Sequence, residues 1–161
     1  MNNIRIINTG GDTAFERNKG KILRKIEFMV NSGSCNDAFK RAGLPTPLEL
    51  VKSGRVTLSS TKALTNSSYN STLGIPDSVR VEALEENAPA QTIRNDRTGN
   101  AVTFFGSDAF DGSYLDEAVP HEFIHVAGIG KRYGWFGWLG VGHDLSGYKN
   151  YANIIANCKD H

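Results

Sequence analysis

The chain carries one HExxH pentapeptide, His121-Glu122-Phe123-Ile124-His125. Residues four apart lie one turn apart on the same face of a helix, so this spacing places the two imidazoles side by side with the carboxylate of Glu122 next to them. Two imidazoles at that separation can bind one metal ion, and the carboxylate can then serve as a general base. Histidine is also concentrated here, because the motif holds two of the four histidines in the chain.

The residues that flank the motif predict a helix that is apolar outside one turn. The uncharged positions are Val119, Phe123, Ile124, Val126 and Ala127. Polar groups confined to one turn of an apolar helix need partners once they are buried, and a metal ion is one such partner. The alternative is an amphipathic helix whose histidines face a polar patch without a metal, and the sequence leaves both interpretations open.

Residues 119–128 resemble the active-site helix of the zincin metallopeptidases. Carried over to this chain, the resemblance implies that His121 and His125 bind Zn²⁺ and that Glu122 activates a zinc-bound water. It also implies a zincin-like fold, in which a small β-sheet packs on the HExxH helix and further helices lie N-terminal and C-terminal to it.

The chain departs from the metzincin branch of that family. Gly128 matches the pattern of the branch, but Lys131 stands where the branch has a third histidine. No methionine follows Met29, so the Met-turn of that branch is missing as well. The layout is closer to the gluzincin and aspzincin branches, in which the third ligand comes from a separate downstream element.

The best downstream candidates for a third ligand lie in residues 142–148. Zinc needs one more neutral or anionic ligand with a position left open for water, and His143 and Asp144 both qualify. We favour His143, with Asp144 either orienting a ligand imidazole or replacing His143 as the ligand. The simpler interpretation of Asp144 is an N-cap for the helix that follows. Tyr148 is a candidate donor to the oxyanion of a tetrahedral intermediate, whereas Tyr151 is expected to pack in the core.

Pro120 directly precedes the motif, and a proline inside a helix removes a hydrogen bond and crowds the preceding turn. Either the helix begins at Pro120, or it starts near Ser113 and is kinked at the proline. Both geometries keep His121 and His125 on one face. Glu117 and Asp116, on the turn before the motif, are candidate acceptors for a ligand imidazole, although favourable charge near a helix N-terminus is the simpler explanation.

Length and composition predict a single domain over residues 1–161, with residues 1–18 as a loosely ordered lead-in. The formal charge is +1, from 18 basic and 17 acidic residues, which gives no reason to expect nucleic acid or an anionic membrane as a partner. No apolar stretch approaches the ~20 residues that cross a bilayer, and the N-terminus has no secretory signal. We therefore expect a monomer whose partner is a peptide or protein substrate.

The two cysteines, Cys35 and Cys158, lie near opposite ends of the chain. A disulfide between them would constrain the unfolded chain by ~4–5 kcal/mol in the chain-entropy model, and two buried free thiols are the alternative. If the disulfide forms, a secreted or extracytoplasmic location is favoured, since disulfides persist in oxidising compartments.

Local patterns predict an α+β fold. Helical periodicity and capping signals predict a helix through Ile22, Ile26 and Met29 that ends at Gly33, a second over residues 35–42 and a third from Pro47 to before Gly54. Residues 59–74 are rich in Ser, Thr and Asn and predict a surface loop. Strands are expected over residues 79–84, 91–95 and 101–105, with a hairpin turn over residues 96–100.

These features predict a zinc-dependent hydrolase, and in the first instance a metallopeptidase. One alternative is amide hydrolysis on a non-protein substrate such as a cell-wall peptide. Two others are a non-catalytic domain with a structural zinc site and a toxin or effector domain of a larger bacterial polypeptide.

Overall fold

A mixed β-sheet of six strands lies at the centre of the described part of the chain. The computed structural model describes residues 3–7, 11–62, 68–76, 88–133, 136–142 and 145–160. The strands are β1 (Arg5–Ile7), β2 (Val56–Ser60), β3 (Ala90–Asn95), β4 (Ala101–Phe105), β5 (Lys131–Tyr133) and β6 (Phe136–Gly142). Their order in the sheet is β1-β2-β4-β3-β6-β5. The pairs β1–β2 and β2–β4 are parallel, and the other three are antiparallel.

Helices pack against this sheet and against one another. They are α1 (Thr13–Asn31), α2 (Gly33–Arg41), α3 (Pro47–Lys52), α4 (Ser68–Leu73), α5 (Tyr114–Val126) and α6 (Tyr151–Cys158), with a short 3-10 helix over Ser107–Phe110. Helix α5 carries the HExxH motif and packs on β3 and β4 on one side and on α1 and α6 on the other. The expectation of one α+β domain, with the sheet packed on the motif helix, is confirmed.

The three predicted N-terminal helices are present, and local signals explain their ends. The side chain of Asp12 accepts a hydrogen bond from the backbone N–H of Phe15 and so caps the start of α1. Ser32 follows the end of α1, and its hydroxyl accepts from the N–H of Cys35, which opens α2. The apolar face of α1 is fully buried at Phe15, Ile22, Ile26 and Met29.

The predicted hairpin is confirmed in β3 and β4. Thr92 lies opposite Thr103 in this antiparallel pair. The connecting turn contains Gly99 at φ +78°, a backbone conformation that residues other than glycine rarely adopt. The hairpin brings two threonine hydroxyls together on a pair of interior strands.

Two expectations differ from the structure. Ser59 and Ser60 are not part of a loop but complete β2, where they are buried, and residues 68–73 form α4. Burial of Ser60 is possible because its hydroxyl donates to the carboxylate of Asp12 at 2.5 Å. The expected loose lead-in contributes β1 to the sheet and the first residues of α1. The strand expected over residues 79–84 lies outside the described residues.

The predicted disulfide is confirmed. Cys35 on α2 and Cys158 on α6 are bonded, with sulfur atoms 2.07 Å apart, and both residues are buried in the core. The disulfide fixes the last helix to the second helix across 123 positions of sequence. Among the described helices, none is both long and apolar enough to span a membrane.

Candidate metal-binding site

Helix α5 runs unbroken through the proline that precedes the motif. It starts at Tyr114, directly after Ser113, and Pro120 lies inside it, so a start near Ser113 is confirmed, while the kink at the proline stays a prediction. Pro120 has no N–H to offer the carbonyl of the preceding turn. The motif spacing survives this loss, since the ring centroids of His121 and His125 are 5.0 Å apart. The two imidazoles therefore face the same side of the helix.

The end of α5 is anchored to the sheet by Arg94 on β3. The Nε of Arg94 donates to the carbonyl oxygen of Val126 at 3.0 Å, and its Nη1 also pairs with Asp96. The chain leaves the helix through Gly128 at φ +120°, where an added Cβ would lie 3.6 Å from the guanidinium carbon of Arg94. The hydrogen bond from Arg94 to Val126 holds the last turn of α5, which carries His125, in place.

His125 is almost completely buried, with 3 % of its surface exposed. Its Nδ1 lies 2.7 Å from the backbone carbonyl oxygen of Ile129. Since a carbonyl oxygen only accepts, Nδ1 must carry a proton, and the lone pair of the neutral imidazole is then on Nε2. A backbone acceptor on one nitrogen and a metal on the other is the usual arrangement of histidine ligands in proteins.

His121 is more open, with 23 % of its side chain exposed. Its Nδ1 lies 3.1 Å from the hydroxyl oxygen of Tyr151 on α6, and the two rings pack edge to face. The same hydroxyl donates to Glu117 Oε2 at 3.1 Å. Burial first, and the hydrogen bond to Glu117 second, raise the pKa of Tyr151 to about 12. Glu117 thus acts on a motif imidazole through a phenol rather than directly.

Glu122 lies between the helix and the β3–β4 hairpin, and only 4 % of its surface is exposed. Its Oε1 accepts a hydrogen bond from Thr92 at 2.8 Å, and the hydroxyl of Thr92 lies 2.8 Å from that of Thr103. Its Oε2 is 4.0 Å from Nε2 of His121. Burial raises the pKa of Glu122 to about 8, although the Thr92 hydrogen bond opposes the rise. The carboxyl group is therefore held in one orientation at a pKa suited to proton transfer near neutral pH.

A cavity of about 720 Å³ opens onto this side of the helix. Its lining includes His121, Glu122 and Glu117 from the helix, together with Tyr114 one turn earlier and Lys159 from the C-terminal end. The other lining residues are small: Ala88, Pro89, Ala90, Ser113 and Ala118. Burial first, and the charge of Glu122 second, raise the pKa of Tyr114. The space is large enough for a few residues of a peptide.

The downstream candidates are only partly described. His143 and Asp144 lie outside the described residues, so their prediction as third ligand stays a prediction. Tyr148 packs against the hydrophobic core, and its buried hydroxyl has no hydrogen-bond partner within the part of the chain that the structure describes. Its role as an oxyanion donor is untested. Tyr151 is the tyrosine that contacts a motif histidine.

The described residues alone do not complete a metal site. Over these ranges no group of three or more His, Cys, Asp and Glu side chains is arranged to hold a metal ion. To form a metal site, the two motif imidazoles would need a further ligand from outside these ranges. No protein-family model, curated protein or solved structure significantly matches the chain.

Proposed function

We propose that this protein is a zinc-dependent hydrolase with a zincin-like site, and that it acts as a metallopeptidase on a peptide or protein substrate. One observation carries the proposal: a helix presents two imidazoles, with ring centroids 5.0 Å apart, beside a buried carboxyl group, and His121 and Glu122 line a cavity of about 720 Å³. Burial makes the ionised form of Glu122 costly and raises its pKa to about 8. Catalysis gives a reason for it.

The side chains fit zinc as far as they are described. His125 binds through Nε2, since its Nδ1 is held by the carbonyl of Ile129 at 2.7 Å. His121 lies one turn earlier on the same face, and its Nε2 is 4.0 Å from Oε2 of Glu122. Two imidazoles and one more neutral or anionic ligand form the donor set of a catalytic zinc site with an open position. His143 is the proposed third ligand, with Asp144 as the alternative.

Glu122 acts as the general base in this proposal. Zinc, when bound, polarises a carbonyl, lowers the pKa of water to about 7 and favours the ionised form of nearby carboxyl groups. Glu122 takes the proton of the attacking water on Oε2, the oxygen that faces His121, while Oε1 stays held by Thr92. The hydroxyl pair of Thr92 and Thr103 thereby keeps the carboxyl group from rotating away from the cavity.

Tyr114 is the proposed donor to the oxygen of the scissile carbonyl. It lies at the cavity wall with Glu122 and is 41 % exposed, so its hydroxyl is accessible to a substrate. Burial first, and the charge of Glu122 second, raise the pKa of Tyr114, which keeps the phenol protonated. A protonated phenol can stabilise a developing oxyanion. Tyr148, the sequence-based candidate, is the alternative.

The catalytic proposal is tested by Glu122→Gln, with Glu27→Gln as the matched control. Glutamine keeps the shape of the side chain and the hydrogen bond from Thr92 but cannot take a proton, so hydrolysis of a generic casein substrate should fall by at least about 100-fold with zinc still bound. Glu27 is exposed on α1, and its variant should match the wild type. Wild-type hydrolysis by Glu122→Gln would refute the assignment.

The same experiment separates the alternatives. A structural zinc site predicts bound zinc with no hydrolysis in the wild type, on either casein or cell-wall peptides. Hydrolysis confined to cell-wall peptides would favour the non-protein amide substrate. The disulfide favours an oxidising compartment, and we therefore propose a secreted or extracytoplasmic location.

A further inference from the structure

Tyr151 connects the start of α6 to the motif helix through two hydrogen-bonding contacts. Its hydroxyl donates to Glu117 Oε2 at 3.1 Å, and its oxygen lies 3.1 Å from Nδ1 of His121. The ring centroids of Tyr151 and His121 are 5.5 Å apart in an edge-to-face contact. Glu117 and His121 are four residues apart on α5, so one phenol bridges two consecutive turns of the same face.

The direction of these hydrogen bonds follows from counting protons. A phenol has one proton, and an ionised carboxylate only accepts, so the proton of Tyr151 points to Glu117. The contact between Tyr151 and His121 then requires a proton on Nδ1 of the imidazole. In the neutral ring the lone pair is consequently on Nε2, the nitrogen 4.0 Å from Glu122. Both motif histidines therefore have the same tautomer, His125 because of a backbone carbonyl and His121 because of this phenol.

We propose that Tyr151 and Glu117 are positioning residues for the candidate metal site, which hold His121 in the Nδ1–H tautomer with its Nε2 turned to the metal. The inference rests on the proposed function for the identity of the ligand, but the tautomer is a property of the metal-free chain.

Helix α6 is fixed firmly enough for this role. At its far end Cys158 is bonded to Cys35 on α2. Lys25 on α1 pairs with Asp116 on α5 at 2.5 Å and with Asp160, just after α6, at 3.2 Å. The helix that carries Tyr151 is thus tied to α5 at both ends, so the phenol meets His121 in a defined orientation.

The test uses Tyr151→Phe and Glu117→Gln, with Tyr69→Phe as the matched control for losing a phenol hydroxyl. Tyr69 is buried on α4, which packs on β4, and its ring contacts Phe104. The tautomer of His121 is read from two-bond ¹H–¹⁵N spectra of labelled, chelator-treated protein. Zinc affinity is measured on the same proteins by competition with a chromophoric chelator.

We expect the Nδ1–H tautomer of His121 in the wild type and in Tyr69→Phe. In Tyr151→Phe the Nε2–H form should become populated, and zinc affinity should fall about tenfold. This is the lower end of the effect of losing a residue that orients a ligand, because Glu117, the acceptor of the Tyr151 hydroxyl, is exposed to solvent. In Glu117→Gln the amide can donate to the phenol oxygen, which turns the phenol proton towards Nδ1 and should shift the tautomer in the same direction. Glu117→Gln leaves Tyr151 unchanged, so it still tests the proposal if Tyr151→Phe fails to fold.

An Nε2–H tautomer in the wild type would overturn the proposal. Wild-type tautomer and zinc affinity in both variants would also overturn it while leaving the proposed function intact. A wild type that shows the expected tautomer but no hydrolysis counts against the hydrolase and supports the positioning role.

Discussion

Glu122 is a carboxyl group that the fold removes almost completely from water. It is 4 % exposed, it accepts a hydrogen bond from Thr92, and burial raises its pKa from the ordinary 4.5 to about 8. Between about pH 4.5 and pH 8, Glu122 of the metal-free chain therefore keeps a proton in the folded state that it has released in the unfolded state. That difference links the protonation of one side chain to the stability of the fold.

The linkage predicts that the metal-free wild type loses stability relative to Glu122→Gln as pH rises. Because the pKa of Glu122 is higher in the folded state, its contribution to stability is present below about pH 4.5 and is lost as pH rises towards about 8, at up to ~1.4 kcal/mol per pH unit. Relative to Glu122→Gln, the free energy of unfolding of the wild type should fall by a few kcal/mol across this range. Urea unfolding with chelator present measures it. Parallel pH profiles for the two proteins would contradict the raised pKa.

The sequence located the motif residues of the site but not their supporting partners. Spacing alone placed His121 and His125 on one face, because helix geometry fixes that relation locally. Thr92 and Tyr151 reach the motif from β3 and α6, and only tertiary packing brings them there. Among the strand threonines nothing in the sequence marked Thr92. Tyr151 had the spacing of a core residue, and its hydroxyl gave no further signal.

At the scale of elements, helices with a cap and an apolar stripe were predictable and an interior strand was not. α1 and α3 have both signals, and they were found. β2 lies between β1 and β4 in parallel pairs and is buried at every position, so it lacks the alternation that marks a half-buried strand. Its two serines also suggested a loop. Their hydrogen bonds, such as that of Ser60 to Asp12, are formed only in the folded chain.

Two glycine substitutions test whether the turn that follows α5 requires a glycine at position 128. Gly128 has φ +120°, which an alanine adopts only under strain, so Gly128→Ala should lower the free energy of unfolding by about 1–3 kcal/mol. Gly20 lies inside α1 with no atom closer than 3.5 Å to an added Cβ, and Gly20→Ala should raise it by about 1 kcal/mol. Denaturant unfolding of both variants decides the matter. An unchanged or higher free energy of unfolding for Gly128→Ala would show that a side chain does not strain the turn after His125.

For the whole molecule, the disulfide is the main covalent constraint. Cys35 and Cys158 are 123 positions apart, so the chain-entropy model gives a stabilisation of about 4–5 kcal/mol. We expect the intact chain to be two hydrogens lighter than its reduced form and to melt at a markedly higher temperature. A Cys35→Ala and Cys158→Ala double variant should match the reduced protein. An unchanged melting temperature on full reduction would contradict this role.

The central claim is that the motif histidines hold zinc, and the metal content of the purified protein tests it most directly. Protein prepared without chelator and dialysed against trace zinc should contain about one zinc per chain by elemental analysis. His161→Ala, which changes a histidine outside the motif, should retain it. His121→Ala and His125→Ala should each contain less than about a tenth of that amount, because each loses a direct metal bond. A wild type without zinc, or motif variants with as much zinc as the wild type, would contradict the account.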